Sequence, residues 1–331
     1  MKVLEVVGID VSKLVVDVRI HTDQRYGQFN NSNKGFNQMC NWVFKNNPVS
    51  EEETLFVFEH TGLYSHNLAV YLTKRNRPFI IIPGLEIKRS LGISRGKDDK
   101  VDATKIARYA YRLRDEIEPY KLPCQELESL KRLLSLRDRM VKHRAGFKTS
   151  FKEQKRVYNI TDNTVLFDTQ EKMIKYLTKQ ICLVEEEMYD IIKSDNKLKK
   201  QYNLITSIQS VGAQTALFMI VCTAGFTKFK DSRKFASYSG IAPFPNSSGT
   251  SIKGKTKVSH LANKKIKSLL NQCAISAIQY NSEMKIFYEK RAKQGKHNRS
   301  TINVIRNKLL ARIFAVINRE TPYVDFLKYA T

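Results

Sequence analysis

Four carboxylates in this chain are spaced as metal-assisted phosphoryl chemistry would need them. The stretch "RGKDDKVDATKIARYA", residues 95–110, carries Asp98, Asp99 and Asp102. Asp99 and Asp102 are three apart at the start of a helical pattern, so both can face one side. Asp10 ends the apolar run "VLEVVGID" and Glu59 ends the run "TLFVFE". As adjacent parallel strands, these runs would bring both acids to the carboxyl edge of a sheet, where α/β folds place their sites. Hard divalent cations take oxygen ligands, and Mg²⁺ usually binds one or two protein carboxylates with phosphate oxygens and water. Two such ions about 4 Å apart can stabilise both the attacking and the leaving oxygen. Each acid also has a plainer reading. Asp98 or Asp99 could be a helix N-cap with Asp102 in the first turn, and Asp10 could be a turn residue. Glu59 resists this, because an acid closing "LFVFE" is expected to be half-buried and a lone buried carboxylate costs roughly several kcal/mol. Asp98 is assigned to capping or solvent.

The acids stand in a strongly basic chain. Lys and Arg total 57 against 32 Asp and Glu, for a net charge of +25 over 331 residues. Such a balance points to a polyanionic partner, nucleic acid first and an anionic membrane surface second. It also answers why carboxylates cluster here: the acids would hold metal while the basic surface holds phosphate and offsets their mutual repulsion. Arg89, Arg95, Lys97 and Lys100 flank the Asp99/Asp102 pair. Between residues 250 and 310 there are fourteen Lys/Arg and two Glu, interleaved with Tyr280, Phe287 and Tyr288. That mixture suits a surface that tracks a phosphate backbone and stacks on bases. No long apolar run and no signal-peptide layout is present, so the expectation is a soluble cytoplasmic protein with no membrane partner. The five cysteines are isolated and read as buried free thiols.

The elements that must position the acids follow from periodicity. "KVLEVVGIDVSKLVVDVRI" reads as two strands around a tight turn, and "RYGQFNNS" as a third. Residues 34–46 have helical spacing, "TLFVFEHTG" is a strand, 64–75 a helix, "PFIIIPG" a buried strand, and 102–114 a helix after a basic loop. The order strand–strand–strand–helix–strand–helix–strand–helix is that of a ribonuclease-H-like α/β domain, residues 1–120. From 121 to 203 the strand signals vanish. Leu127, Leu130, Leu134, Ile174, Leu177, Ile181, Val184, Met188 and Ile191 recur at three and four, which predicts two long helices in a coiled-coil arm joined near "NITDNT". Residues 204–331 read as mostly helical, broken by the loop "GIAPFPNSSGTSIKGKTK". Its Gly249 and Gly254 allow close backbone approach, and Lys253 and Lys255 could meet phosphate. By its residues alone, a segment this rich in Ser and Gly reads as an ordinary flexible loop.

"GIDVSK", "EHTGLY" and "KDDKVDATKIA" resemble the signature blocks of the DEDD insertion-sequence transposases, a family related to the Piv invertases that includes bridge-RNA-guided serine recombinases. The resemblance continues through "FASYSGIAPFPNSSGTSIKGKTKVSHLANKKIKSLL" and "YEKRAKQGKHNRSTINVIRNKLLARIFAVI", and so spans nearly the whole chain. It implies a RuvC-like N-terminal domain, a coiled-coil arm and a C-terminal transposase domain with a serine nucleophile. The family's four acids fall on Asp10, Glu59, Asp99 and Asp102, as catalytic and metal-binding residues for Mg²⁺ or Mn²⁺. Its serine falls on Ser248, with Ser247 and Ser251 ranked lower. Nucleic-acid contacts are expected from Arg95, Lys97, Lys100, Lys253, Lys255, Lys257, Lys264 and Lys265. The implied reaction cuts and rejoins target and donor double-stranded DNA through a phosphoserine intermediate, guided by a bridge RNA. The active site would be shared between subunits of a homo-oligomer.

Three positions depart from the family pattern: His60 stands where a small residue is usual, Ile82 precedes Pro83 where an asparagine is often found, and Ser210 stands where a glycine is common in a helix-hairpin-helix turn. Three other functions compete. A RuvC-like nuclease hydrolysing junctions with water needs the acids but not Ser248. A sugar-kinase or actin-like ATPase would share "GIDVSK", but the chain lacks a second Asp-x-Gly turn and a Gly-rich adenosine motif. A decayed, non-catalytic nucleic-acid binder would not need the acid set and serine that the chain retains.

Overall fold

The computed structural model describes residues 2–47, 49–90, 99–248 and 252–325, and all their side chains except those of residues 99, 246–248, 252, 253 and 255. The chain divides into two compact units, Met1–Leu122 and Pro123–Thr331.

The first unit is built on the apolar, β-branched runs. β1 (Glu5–Val11), β2 (Val15–Ile20), β3 (Tyr26–Asn30), β4 (Thr54–Glu59) and β5 (Phe79–Ile82) form one sheet in the order β3-β2-β1-β4-β5. β1, β2 and β3 pair antiparallel, whereas β1–β4 and β4–β5 are parallel. Strand alternation sends Val7, Ile9, Val16, Val18, Phe56 and Phe58 to one face. There they pack against α1 (Asn33–Asn46), through Phe36, Met39 and Val43, and α2 (Leu63–Lys74), through Leu68 and Leu72. Val6, Leu55, Val57, Ile80 and Ile82 go to the other face, under Ile87 of α3 (Gly84–Ser90) and Ile106, Tyr109 and Ala110 of α4 (Asp99–Arg112). The expected order of elements is therefore present, with two differences. The segment after "PFIIIP", read as basic loop, forms α3, because Ile87 finds a place in this second core. The following helix starts at Asp99 rather than at residue 102.

In the second unit α5 (Gln125–Gln154) and α6 (Thr164–Ser194) form the expected helical hairpin, joined through a single 3-10 turn at Thr161–Asn163. Gln170 donates to Gln154 (2.6 Å), Arg144 to Thr178 (3.3 Å) and Arg137 to Glu185 (2.5 Å), so the two helices run antiparallel. At its base Leu127, Leu130, Leu134, Met188 and Ile192 enter the same core as the helices that follow. These are α7 (Asn196–Thr206), α8 (Ala213–Cys222), α9 (Ser232–Tyr238), α10 (Lys264–Tyr280), α11 (Ser282–Lys293) and α12 (Asn298–Arg319). The loop expected between α9 and α10 is instead largely a hairpin of β6 (Pro243–Ser248) and β7 (Ile252–Val258). The period-two pattern of "IKGKTKV" suits a strand, and a bulge between Phe244 and Asn246 absorbs its register shift. Cys40 and Cys273 are buried and Cys222 is partly so, but Cys124 and Cys182 are exposed on the arm, where the surface is largely open; the expectation that every thiol is buried is corrected for those two. Among the described residues no helix is long and apolar enough to cross a membrane.

Candidate active site

The sheet register brings several acids into one transverse row. Asp17 of β2 pairs with Gln28 of β3 and with Asp10 of β1. Asp10 and Glu59 lie one residue beyond the last β1–β4 pair, Ile9–Phe58, and Glu59 in turn pairs with Ile82 of β5. Paired residues share a sheet face, so Asp17, Asp10 and Glu59 occupy three neighbouring strands on the side covered by α3 and α4. Strands stand roughly 4.8 Å apart, which puts the outer two acids about 10 Å from each other with Asp10 between them.

Two glycines let the covering helices come this close. A Cβ on Gly8 would lie 2.4 Å from Ala103 O and from Ala107 N, so α4 rests directly on the β1 backbone. A Cβ on Gly84 would lie 1.9 Å from Glu59 Oε1, so the carboxylate of Glu59 occupies the space left by the missing side chain at the start of α3. The two helices are clamped to each other where Tyr109 of α4 donates to Glu86 Oε1 of α3 at 2.7 Å. Burial, with that carboxylate alongside, pushes the Tyr109 phenol up to about 12.

Seated on Gly8 through Ala103, α4 carries Asp99 as its first residue and Asp102 in its first turn. Asp102 is one-third exposed and accepts from Lys105 Nζ at 2.8 Å. Asp98, assigned to capping, lies outside the described residues, as does the side chain of Asp99. Among the described residues no three His, Cys, Asp or Glu side chains gather as a ready metal cage. The donor set nonetheless suits a hard cation: carboxylate oxygens in adjacent register, with neither Cys nor His in the row.

Asp17 was missed by the sequence reading. It is 1% exposed. Tyr26 Oη donates to its Oδ1 at 2.5 Å and Gln28 Nε2 to the same oxygen at 2.9 Å, while its Oδ2 is buried with no hydrogen-bond partner. The signal was available: an acid inside "LVVDV" raises the same question as the acid closing "LFVFE". Glu5, also buried, is satisfied by Val6 N (2.8 Å) and Thr22 N (3.3 Å) at the opposite end of β1 and serves the local fold. His60 is exposed, and its Nδ1 accepts from Gly62 N at 3.3 Å, which holds the turn into α2.

The expected nucleic-acid contacts are distributed unevenly. Arg95 and Lys97 lie outside the described residues. Lys100 is exposed with its ammonium 4.9 Å from the centre of the Tyr26 ring. In the second unit Lys257 and Lys264 are exposed, but Lys265 donates to Asp138 of α5 at 2.6 Å and lies over Phe218. Ser248 is the last residue of β6, paired in register with Ile252, and Ser247 pairs with Lys253. The backbone thus puts the candidate nucleophile at the tip of a hairpin. Ser251 and the side chains of Ser247, Ser248, Lys253 and Lys255 lie outside the described set. In the turn between α7 and α8, Ser210 adopts φ +74°, the left-handed conformation that glycine accommodates without cost.

Comparison with known proteins matches both parts of the chain. A transposase family model matches residues 7–156, which contain every acid of the row. A model described as the transposase IS116/IS110/IS902 family matches residues 202–289, which contain the β6–β7 hairpin. The pilin gene-inverting protein of Moraxella bovis is 25% identical over 324 residues, covering 96% of this chain and 97% of that protein. The corresponding protein of Moraxella lacunata is also 25% identical over 324 residues. An uncharacterized 43.6 kDa protein of insertion element IS110 from Streptomyces coelicolor is 26% identical over 159 residues, 47% of this chain and 39% of that one. With both halves matched in order, the chain belongs to the IS116/IS110/IS902 family of transposases, enzymes that rearrange DNA.

Proposed function

We infer that the protein cuts and rejoins DNA strands by transesterification, with Ser248 as nucleophile and Asp10, Glu59, Asp99 and Asp102 as the acids that hold a divalent cation, Mg²⁺ or Mn²⁺. The observation that carries this reading is the adjacent register of Asp10 and Glu59 on the face covered by the helix that begins with Asp99 and Asp102. The 3-2-1-4-5 strand order suits a RuvC-like domain. When bound, the cation would neutralise phosphate charge and lower the barrier to attack. Ser248 Oγ forms a bond to phosphorus as a P–O bond to deoxyribose breaks; the serine proton is lost and the released sugar oxygen gains one. A hydroxyl of the second strand then reverses the exchange, so one phosphodiester replaces another without an external energy source.

Ser248 needs activation that its own segment does not supply. The acid row of another subunit in a homo-oligomer would meet that need. A bridge RNA pairing with target and donor DNA would supply sequence choice that a basic surface alone does not. The protein would act in the cytoplasm, at the nucleoid.

The test is covalent trapping. Denaturing gels of wild-type protein with DNA and Mg²⁺ should show a protein–DNA adduct that Ser248→Ala abolishes, with DNA binding retained. An adduct persisting in Ser248→Ala removes this serine from the reaction. Cleavage without any adduct, in wild type and variant alike, favours a RuvC-like nuclease using water. RNA dependence is tested by sequencing RNA that copurifies and repeating recombination without it.

A further inference from the structure

We propose that Asp17 is a positioning residue of the acid row, its Oδ2 serving as outer acceptor for the hydrated divalent cation held at Asp10. The proposal rests on reading the row as a metal site and adds a carboxylate beyond the four acids named above. Three observations support it. Asp17 is the cross-strand neighbour of Asp10, on the same face of the sheet. Its Oδ1 takes both Tyr26 Oη and Gln28 Nε2, which fixes the plane of the carboxylate. Its Oδ2 is buried and receives no hydrogen bond, although the side chain is 1% exposed.

A buried carboxylate with one oxygen unfilled is costly, and native proteins rarely retain one without a partner to come. Arg19, two residues along β2, does not fill it: its Nη2 donates to Gln24 Oε1 at 3.1 Å, and its buried Nε makes no hydrogen bond. A cation with its hydration shell supplies the donors that Oδ2 lacks. An outer role, rather than direct ligation, follows from register: Asp17 lies on the far side of Asp10 from Glu59, about 10 Å from that second acid. Outer partners of this kind typically change metal affinity by about 10–100-fold when removed.

The experiment measures Mn²⁺ binding to the full-length protein without nucleic acid, by the loss of the free-ion paramagnetic resonance signal. Asp17→Asn keeps an amide oxygen for Tyr26 and Gln28 but replaces the carboxylate. It should weaken Mn²⁺ binding by about 10-fold or more while the metal-free melting temperature stays at or above the wild-type value. In cleavage assays the Mn²⁺ concentration for half-maximal rate should rise, with the rate at saturating Mn²⁺ largely restored, and Asp17→Glu should recover part of the affinity. Should Asp17→Asn fail to fold, Asp17→Ser takes its place, since it removes the charge and leaves room for a water to meet Tyr26 and Gln28. Unchanged Mn²⁺ affinity in the folded variant, with Asp10→Asn and Glu59→Gln both weakened, overturns the assignment of Asp17 alone. Unchanged affinity in all three overturns the metal site itself and this proposal with it.

Discussion

At the scale of single residues, the absence of side chains matters as much as the acids. Gly8 allows the backbone of α4 to touch β1, and Gly84 leaves the room taken by the Glu59 carboxylate. The first of these is the more demanding, because the atoms in the way are backbone O and N of a packed helix. Gly8→Ala is expected to lift α4 from the sheet at a cost of about 1–3 kcal/mol, the usual range for overpacking. Amide hydrogen exchange would detect it as faster exchange along α4, with the β1–β2 pairing less affected. Equal protection of α4 in variant and wild type would mean that the helix has another seat. Gly84→Ala should be milder, since a flexible carboxylate can move aside.

At the scale of elements, the helical arm is not a free-standing rod. Leu130 is fully buried in a core shared with α7, α8, α10 and α12, whereas the far end near Val157, Tyr158 and Val165 is exposed. Leu130→Ala should cost roughly 2–5 kcal/mol through the cavity it leaves. Because α5 and the later helices share that core, exchange should speed up in both. Faster exchange confined to α5 and α6 would instead support a three-part chain divided near residue 203. The β6–β7 hairpin is a second case where context overrode local signal. Its Gly, Pro and Ser content reads as loop, yet alternation and cross-strand pairing make a strand pair that ends at Ser248.

At the scale of the whole molecule, a net charge of +25 makes DNA affinity steeply dependent on salt. Binding to double-stranded DNA should fall by roughly a thousandfold between 50 and 200 mM salt if about six phosphates are neutralised. Fluorescence anisotropy across that range checks the slope. Lys257→Ala or Lys264→Ala should reduce the slope by about one charge. Lys265→Ala should change it less, because its ammonium is paired with Asp138. A larger loss at Lys265 than at Lys264 would mean that DNA displaces that ion pair.

From residue types and spacing alone one can read the basic character, the strand and helix order of the first unit apart from α3, the helical hairpin and the acids Asp10, Glu59, Asp99 and Asp102 as candidates. These are local or compositional properties, and hydrophobic periodicity records them directly. Register, by contrast, pairs residues distant in the chain, so the extension of the Asp10–Glu59 edge to Asp17 and Gln28 appears only once the sheet has formed. The same holds for Asp17 itself, whose unfilled oxygen exists only because Tyr26 and Gln28 hold the other one. Close packing decided the rest: Gly8 is one residue among many in sequence, and the contact surface of a helix in three dimensions.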